Sequence, residues 1–166
     1  MRVIMIKGYT KTGKTTTVCA VIKELVRRGY TVGTVKDIHF EGFVMDKPGT
    51  DTHKHRLAGA TTVTARSENE TAVLYDHAPE IATILAHYHE DFVVLEGDSG
   101  ADCPNIVTGK TVDDLEKRRD KNTIGFSGVI AEEFAAQNRQ TYSGLPVING
   151  RTQVEALVDL IERSTK

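Results

Sequence analysis

The amino-acid sequence predicts an α/β fold of three layers, in which helices cover both faces of a mainly parallel β-sheet. Short apolar runs at residues 3–6 and 92–95 are typical of parallel strands that are buried on both faces. Apolar residues with helical spacing, as at residues 18–26 and 154–161, predict helices that pack one face against a sheet. Strands and helices of this kind alternate along the chain, and this alternation predicts the layered architecture.

The loop between the first strand and the first helix matches the phosphate-binding pattern G-x-x-x-x-G-K-[ST], also called Walker A. Its glycines allow the backbone to curl around a polyphosphate, toward which the amide N–H groups then point. We expect Lys14 to bind the β- and γ-phosphates and the hydroxyl of Thr15 to bind Mg²⁺. The predicted fold is therefore that of the P-loop NTPases, and a glycine-rich turn without a ligand is the alternative. The predicted nucleotide-binding residues are Gly8, Tyr9, Thr10, Lys11, Thr12, Gly13, Lys14, Thr15 and Thr16.

The first helix is predicted from an apolar stripe that runs from Val18 to Val26, and Gly29 is expected to end it. We expect Cys19 to be packed within this helix. A second strand at residues 31–36 ends at Asp37. A carboxylate at this place can bind a water of Mg²⁺ or position an attacking water, or it can be a plain polar strand end.

Residues 40–60 are polar and irregular, as is typical of switch or substrate loops in nucleotide-binding folds. Asp51 or Thr52 is expected to cap a short helix that ends at Gly59. Three histidines in and beside this region raise the alternative of a transition-metal site, although the H-x-H spacing would point two of the rings to different helix faces. They are His39, His53 and His55.

Residues 61–75 interrupt the alternation with two short strands around a polar turn. We expect this inserted β-segment to add edge strands or to reach a partner subunit. A helix then starts near Pro79.

The apolar strand at residues 92–95 is closed by Glu96, the pattern of a Walker B element with Glu in place of Asp. In a P-loop fold this carboxylate faces Thr15 across the metal, so the predicted metal ligands are Thr15 and Glu96. The predicted catalytic residues are Lys14, Glu96 and Asp37. A polar loop at residues 98–105 follows on the same edge of the sheet.

The rest of the chain continues the strand and helix pattern. Thr111 and Asp114 predict a capping box for a short helix, and residues 124–130 predict an interior strand. A helix over 132–138 and a short last strand over 145–148 follow. Thr152 and Glu155 predict a second capping box, which starts the final helix.

Composition fits a single domain over residues 1–166. The chain is 39% hydrophobic and 27% charged, with a formal net charge of −2 and no basic stripe, which argues against nucleic-acid binding. No apolar run approaches membrane-spanning length, and we see no signal peptide. Cys19 and Cys103 form no zinc or redox spacing, so we expect a reduced, cytoplasmic protein.

Four segments resemble the molybdopterin-guanine dinucleotide biosynthesis protein B family: residues 8–16, 35–39, 43–60 and 95–97. The most specific of them contains Asp-Lys-Pro-Gly-x-Asp at residues 46–51, Arg56, and Leu-Ala-Gly-Ala at residues 57–60. The likeness covers residues 1–100 well, and the remainder is similar in its strand and helix pattern.

The resemblance implies a GTP-binding P-loop protein with weak GTPase activity and Mg²⁺ as cofactor. It also implies a homodimer joined partly through extra β-structure, and an adapter role beside the guanylyltransferase (protein A of the same pathway) that attaches GMP to molybdopterin. It places residues 8–16 at the nucleotide and Glu96 near the metal. It places four residues in a loop that faces nucleotide, molybdopterin or the partner: His39, Asp46, Asp51 and Arg56.

The sequence departs from the family pattern at Asp37, where a histidine is common, and in the loop at residues 98–105, where a lysine-containing stretch is usual. It also has no Asn-Lys-x-Asp motif for reading guanine, because residues 149–152 read Asn-Gly-Arg-Thr. The residues themselves thus predict nucleotide binding, and the choice of GTP comes from the resemblance. A small-molecule kinase and a metal-insertion GTPase that uses the three histidines are the alternative functions.

Overall fold

The computed structural model describes residues 1–165, which form two compact units. The main unit contains Met1–Asp37 and the chain from Leu85 onward, and the inserted unit contains Ile38–Ile84. The expectation of a single domain stays a prediction, and its last residue, Lys166, lies outside the described residues.

The helices and strands alternate for most of the described chain, as the apolar patterns predict. In chain order they are β1 Arg2–Gly8, α1 Lys14–Arg27, β2 Val32–Lys36, α2 Asp51–Leu57, β3 Thr62–Arg66, β4 Thr71–Tyr75, α3 Ile81–Leu85, β5 Phe92–Glu96, β6 Asn105–Thr108, α4 Val112–Arg118, β7 Thr123–Ser127, α5 Ile130–Ala136, β8 Thr141–Tyr142, β9 Leu145–Pro146 and α6 Val154–Ser164.

A sheet of five parallel strands in the order β2-β5-β1-β6-β7 forms the centre of the main unit. On one face, α1 and α6 bury a cluster that includes Ile4, Leu25 and Leu157. On the other face, α4 and α5 bury a second cluster around Phe126 and Phe134. The main unit therefore has the predicted three layers, and the carboxyl ends of β1 and β5 lie side by side.

The inserted unit confirms the predicted β-segment. Strands β3 and β4 pair antiparallel, with Thr62 opposite Tyr75 and Arg66 opposite Thr71. Helix α2 is also found where it was predicted, but its N-cap is Thr50, whose hydroxyl accepts a hydrogen bond from the His53 N–H. The cap precedes both predicted residues because Thr50 keeps the extended backbone that a cap requires.

Three further expectations are wrong in detail. Cys19 is exposed, and so is Val26, because α1 turns these positions away from the sheet. The capping box at Thr152 does not form, since α6 begins one residue later, at an N-cap of Gln153 without a side-chain bond. The Gln153 side chain instead accepts a hydrogen bond from the Asn149 N–H. The capping box of Thr111 and Asp114 is confirmed.

Strand β6 is not predicted by the sequence patterns, although all four of its residues are buried. Its first residue belongs to a partly buried polar cluster around Asp120. The Asn105 amide donates to Asp120, which also pairs with the ammonium of Lys7, and Thr123 donates to Asn105. Lys7 is 4% exposed, so this cluster provides the buried ammonium with its counter-charge.

We expect Asp120→Asn to lower the free energy of unfolding by about 1 to 3 kcal/mol at neutral pH, because Lys7 loses its carboxylate partner. Burial favours a higher pKa for Asp120, but hydrogen bonds from Lys7, Asn105 and the Asn122 N–H outweigh it and lower the pKa from 3.8 to about 2. Since the folded state has the lower pKa, this stabilisation is present above about pH 4 and is lost as the pH falls toward about 2.

Urea denaturation of the wild type and the variant over this pH range measures the effect. Asp102→Asn is the control, because the carboxylate of Asp102 is mostly exposed. A difference between the wild type and Asp120→Asn that stays constant down to about pH 2 would contradict the argument.

One edge of the sheet is formed by β2, and Tyr88 covers part of it. The Tyr88 hydroxyl donates to the carbonyl oxygen of Thr34 at 2.6 Å. Its ring lies so close to Gly33 that a side chain there would come within 2.3 Å of it.

None of the helices within residues 1–165 is both long and apolar enough to span a membrane.

Candidate functional site

The phosphate-binding loop lies where β1 ends and α1 begins, as predicted. Lys11 has a φ of 62°, a left-handed conformation that residues other than glycine rarely adopt. The Lys14 ammonium reaches back across the loop and donates to the carbonyl oxygen of Gly8 at 3.1 Å. The loop thus curls around its own lysine, and it is continuous with the N-terminus of a helix of 14 residues, where anions are favoured.

Neighbouring strands hold the loop in this shape. The Thr12 hydroxyl lies 2.9 Å from the Tyr9 carbonyl oxygen and 2.8 Å from the hydroxyl of Thr108, at the end of β6. The Val129 N–H donates to the carbonyl oxygen of Thr12 at 3.1 Å. Gly8 has to be a glycine, because a Cβ there would lie 2.3 Å from the Thr108 carbonyl oxygen.

The two predicted metal ligands meet directly. The Thr15 hydroxyl donates to Oε1 of Glu96 at 2.6 Å, and the Lys36 ammonium donates to the same oxygen at 2.6 Å. Burial favours a higher pKa for Glu96, but the bonds from Lys36 and Thr15 and the charge of Lys14 outweigh it, so the pKa is lowered. Glu96 is therefore an anion at neutral pH and is 7% exposed.

This arrangement fits Mg²⁺. In nucleotide sites this ion binds one or two protein oxygens together with phosphate oxygens and waters. A hydroxyl and a carboxylate oxygen 2.6 Å apart are close enough to share one cation. The ammonium of Lys36 occupies the position of a cation beside the carboxylate, which shows that the place suits positive charge. Lys36 was not among the predicted site residues.

Asp37 lies beside this group. Its N–H donates to the Glu96 carbonyl oxygen at 2.9 Å, and its Cβ packs against Gly97. The structure thus brings together all three of the residues that the sequence predicts to be catalytic: Lys14, Glu96 and Asp37. Their chemical roles stay predictions.

A cavity of about 110 Å³ opens next to the phosphate-binding loop. The start of α1 contributes Gly13, Thr16 and Thr17 to its wall. The remaining wall comes from the segment after β7 and from a turn before α6, with the residues Gly128, Val129, Glu132, Asn149, Gly150 and Arg151. The cavity therefore adjoins the place where phosphates would bind, as a base pocket does.

The predicted site contains Gly13 and Thr16 of this cavity but none of the residues after β7. The sequence does carry a signal for these residues. One segment follows β7, and the other follows Val147, which forms a parallel bridge to Phe126. Loops at such ends form the ligand sites of α/β sheets. Which of these loops meet depends on strand order, and the sequence does not supply that order.

Two of the four predicted residues of the inserted unit, Asp46 and Arg56, lie in one cluster. The hydroxyls of Thr50 and Thr52 each donate to Oδ1 of Asp46 at 2.8 Å, and Nη1 of Arg56 lies 3.8 Å from Oδ2. The bond from Thr52 is the main reason that the pKa of Asp46 is lowered. Asp46 is 7% exposed, so it organises the turn before α2.

The other predicted residues of this unit, Asp51 and His39, are exposed. The Asp51 carboxylate accepts a hydrogen bond from Lys54 at 2.9 Å. Within residues 1–165 no group of three or more His, Cys, Asp or Glu side chains is arranged to hold a metal ion, so the three histidines form no metal cluster.

The sequence was compared with models of known protein families. The model of the family described as molybdopterin guanine dinucleotide synthesis protein B matches residues 3–128. A molybdopterin-guanine dinucleotide biosynthesis adapter protein of Escherichia coli is 29% identical over 107 residues, which are 60% of this chain and 61% of that protein. A Methanocaldococcus jannaschii protein, provisionally named as an adapter of the same kind, is 32% identical over 99 residues. Those 99 residues are 58% of this chain and 41% of that protein. The chain therefore spans less than two thirds of the length of either relative.

Solved structures share the fold over nearly the whole chain. The crystal structure of Bacillus subtilis MobB has a TM-score of 0.77 and 20% identity, and covers 100% of this chain and 99% of that one. A MobB protein homolog from Bacillus stearothermophilus has a TM-score of 0.69 and 18% identity. The match covers 98% of this chain and 99% of that chain. At these identities the likeness establishes the fold alone, and it confirms the predicted P-loop NTPase fold.

Proposed function

Because this chain belongs to the molybdopterin guanine dinucleotide synthesis protein B family, we propose that it is an accessory protein of molybdenum-cofactor maturation that binds GTP with Mg²⁺. In this role it assists a molybdopterin guanylyltransferase in attaching GMP to molybdopterin, and it hydrolyses GTP slowly. The chain acts in the cytoplasm, in keeping with its two free cysteines.

The observation that carries this proposal is the contact between Thr15 and Glu96 below a complete phosphate-binding loop. The loop amides and Lys14 bind the phosphates, and the oxygens of Thr15 and Glu96 hold Mg²⁺. The ion, when bound, neutralises charge on the β- and γ-phosphates. Asp37 lies next to Glu96 and orients the attacking water.

Slow hydrolysis follows from the state of Glu96. Its lowered pKa makes it a weak base, and the bonds from Thr15 and Lys36 fix its position. It can therefore hold a metal but is poorly suited to remove a proton from water. Binding of GTP, rather than rapid turnover, is then the signal that the partner protein reads.

Association with a partner is supported by the inserted unit, which exposes large apolar side chains. Exposed apolar groups of this kind mark interaction surfaces when they cluster. We propose that they serve a homodimer and the contact with the guanylyltransferase, with molybdopterin as a further ligand. They are Phe40, Phe43, Val44, Met45, Leu57 and Val73.

Calorimetric titration with GTP, in the presence and absence of Mg²⁺, tests the nucleotide part of the proposal. We expect saturable binding that depends on the triphosphate. If the folded protein bound no nucleotide with Mg²⁺ present, the proposal would fail.

Glu96→Gln is expected to lower Mg²⁺-dependent GTP hydrolysis by about 10- to 100-fold, since the neutral amide binds the metal poorly. Affinity for GTP should change much less, because Lys14 and the loop amides supply most of it. Phosphate release and calorimetry separate the two effects, with Glu68→Gln in the inserted unit as the control. A variant that kept full turnover would remove Glu96 from the metal site.

A further inference from the structure

The cavity beside the phosphate-binding loop has one acidic and one basic side chain in its wall. These are Glu132, in the first turn of α5, and Arg151, in the turn before α6. Nη1 of Arg151 lies 3.8 Å from Oε1 of Glu132, and the two side chains are 71% and 60% exposed. An exposed pair at this distance is weak, so a ligand can separate the two charges at little cost.

Hydrogen bonds of Asn149 and Gly150 hold the turn that forms one side of the cavity. Oδ1 of Asn149 accepts hydrogen bonds from the backbone N–H groups of Arg151 and Thr152, at 2.9 Å and 3.3 Å. The Gly150 N–H donates to the hydroxyl of Ser127 at 3.2 Å. Asn149 therefore shapes the turn that carries Arg151, while Glu132 and Arg151 keep their hydrogen-bonding groups available to a ligand.

The chemistry of this pair fits guanine. Guanine carries two neighbouring donors, N1–H and the 2-amino group, beside the acceptor O6, and a guanidinium is the preferred partner of O6. A carboxylate accepts both donors at once. In the same orientation adenine has an amino group in the place of O6, so it would set a donor against the guanidinium.

We infer that Glu132 and Arg151 select guanine in place of the absent Asn-Lys-x-Asp motif. The Glu132 carboxylate accepts from N1–H and the 2-amino group, and the Arg151 guanidinium donates to O6. The two residues come from separate segments that meet at the start of α1, so no contiguous motif records them. This inference rests on the proposed function, because the phosphates must first bind to the loop that ends at Thr16.

Nucleotide analogues test the assignment group by group. GTP, ITP (which lacks the 2-amino group), XTP (which has an oxygen there) and ATP are titrated with Mg²⁺ into the wild type and into Glu132→Gln. We expect the wild type to bind GTP most tightly. Glu132→Gln should lower the affinity for GTP by about 10- to 100-fold, because a charged hydrogen bond is lost. The affinities for GTP and ITP should then be close to each other. This variant should bind XTP more tightly than the wild type does, because the amide N–H donates to the new oxygen.

Arg151→Ala gives a different expectation, since GTP and ITP both carry O6. Arg151→Ala should lower the affinities for GTP and ITP by the same factor, so the ratio of the two affinities should not change. Glu133→Gln is the matched control, because Glu133 lies on the same helix outside the cavity and accepts from Gln137. This control should bind like the wild type, and circular dichroism confirms that each variant is folded.

The outcomes separate this inference from the proposed function. If GTP binds tightly and Glu132→Gln leaves the ratios of GTP to ITP and XTP unchanged, Glu132 does not read the base and only the inference is overturned. If the wild type binds ATP as tightly as GTP, guanine selection is absent and the inference is again overturned. If no triphosphate binds, both fail.

Discussion

Lys14→Ala is expected to lower the affinity for GTP by about 100-fold or more. The ammonium of Lys14 crosses the phosphate-binding loop and donates to Gly8, so it lies where a triphosphate would be held. Each charge-assisted bond to a phosphate is worth about 1.5 to 3 kcal/mol, and two such bonds account for a factor of at least this size.

The fold should survive this change. Lys14 is outside both apolar clusters of the main unit, so we expect the free energy of unfolding to change by less than about 1 kcal/mol. Calorimetry and urea denaturation measure the two quantities, with Lys23→Ala as the control for removing an exposed lysine from the same helix. An unchanged affinity for GTP would refute the assignment of the phosphate site.

Gly128→Ala is expected to lower the free energy of unfolding by about 2 to 5 kcal/mol and to weaken GTP binding. Gly128 has a φ of 90°, which a residue with a side chain adopts at a cost of about 1 to 2 kcal/mol. An added Cβ would also lie 2.3 Å from the carbonyl oxygen of Thr12, and relieving such a contact costs about 1 to 3 kcal/mol more. Because Thr12 is part of the phosphate-binding loop, its displacement should distort the site.

Gly144→Ala separates these two contributions. Gly144 has a φ of 80°, but no atom lies within 4 Å of a Cβ built there, so this variant carries the backbone strain without the contact. Urea denaturation and calorimetry of both variants give the comparison. Equal losses of stability, with GTP binding intact in both, would show that Gly128 can accept a side chain.

The part of the site that the sequence predicts well is the part encoded locally. The segment from β1 through the loop to α1 is continuous, and both its pattern and its apolar spacing can be read along the chain. Glu96 is similar, since it directly follows an apolar strand. The P-loop pattern predicts that Glu96 faces Thr15 across a metal ion, and in the structure the two side chains lie 2.6 Å apart.

The part that was not predicted depends on contacts between distant residues. Strand β6 contains only two apolar residues, and its Asn105 is buried because Asp120 and Thr123 bond to it. Lys36 reaches Glu96 because their strands pair with these two residues opposite each other, which no local pattern encodes. Arg151 and Glu132 are likewise separated in the sequence and meet only in the fold.

Tyr88 protects one edge of the central sheet from pairing with a further strand. An outer parallel strand presents unpaired backbone groups that another strand could use to extend the sheet, a common start of aggregation. On β2 the outward carbonyl of Thr34 is already bonded to the Tyr88 hydroxyl, and the ring stands beside Gly33. A strand added beside β2 would first have to displace this side chain, so Tyr88 protects this edge against extension of the sheet.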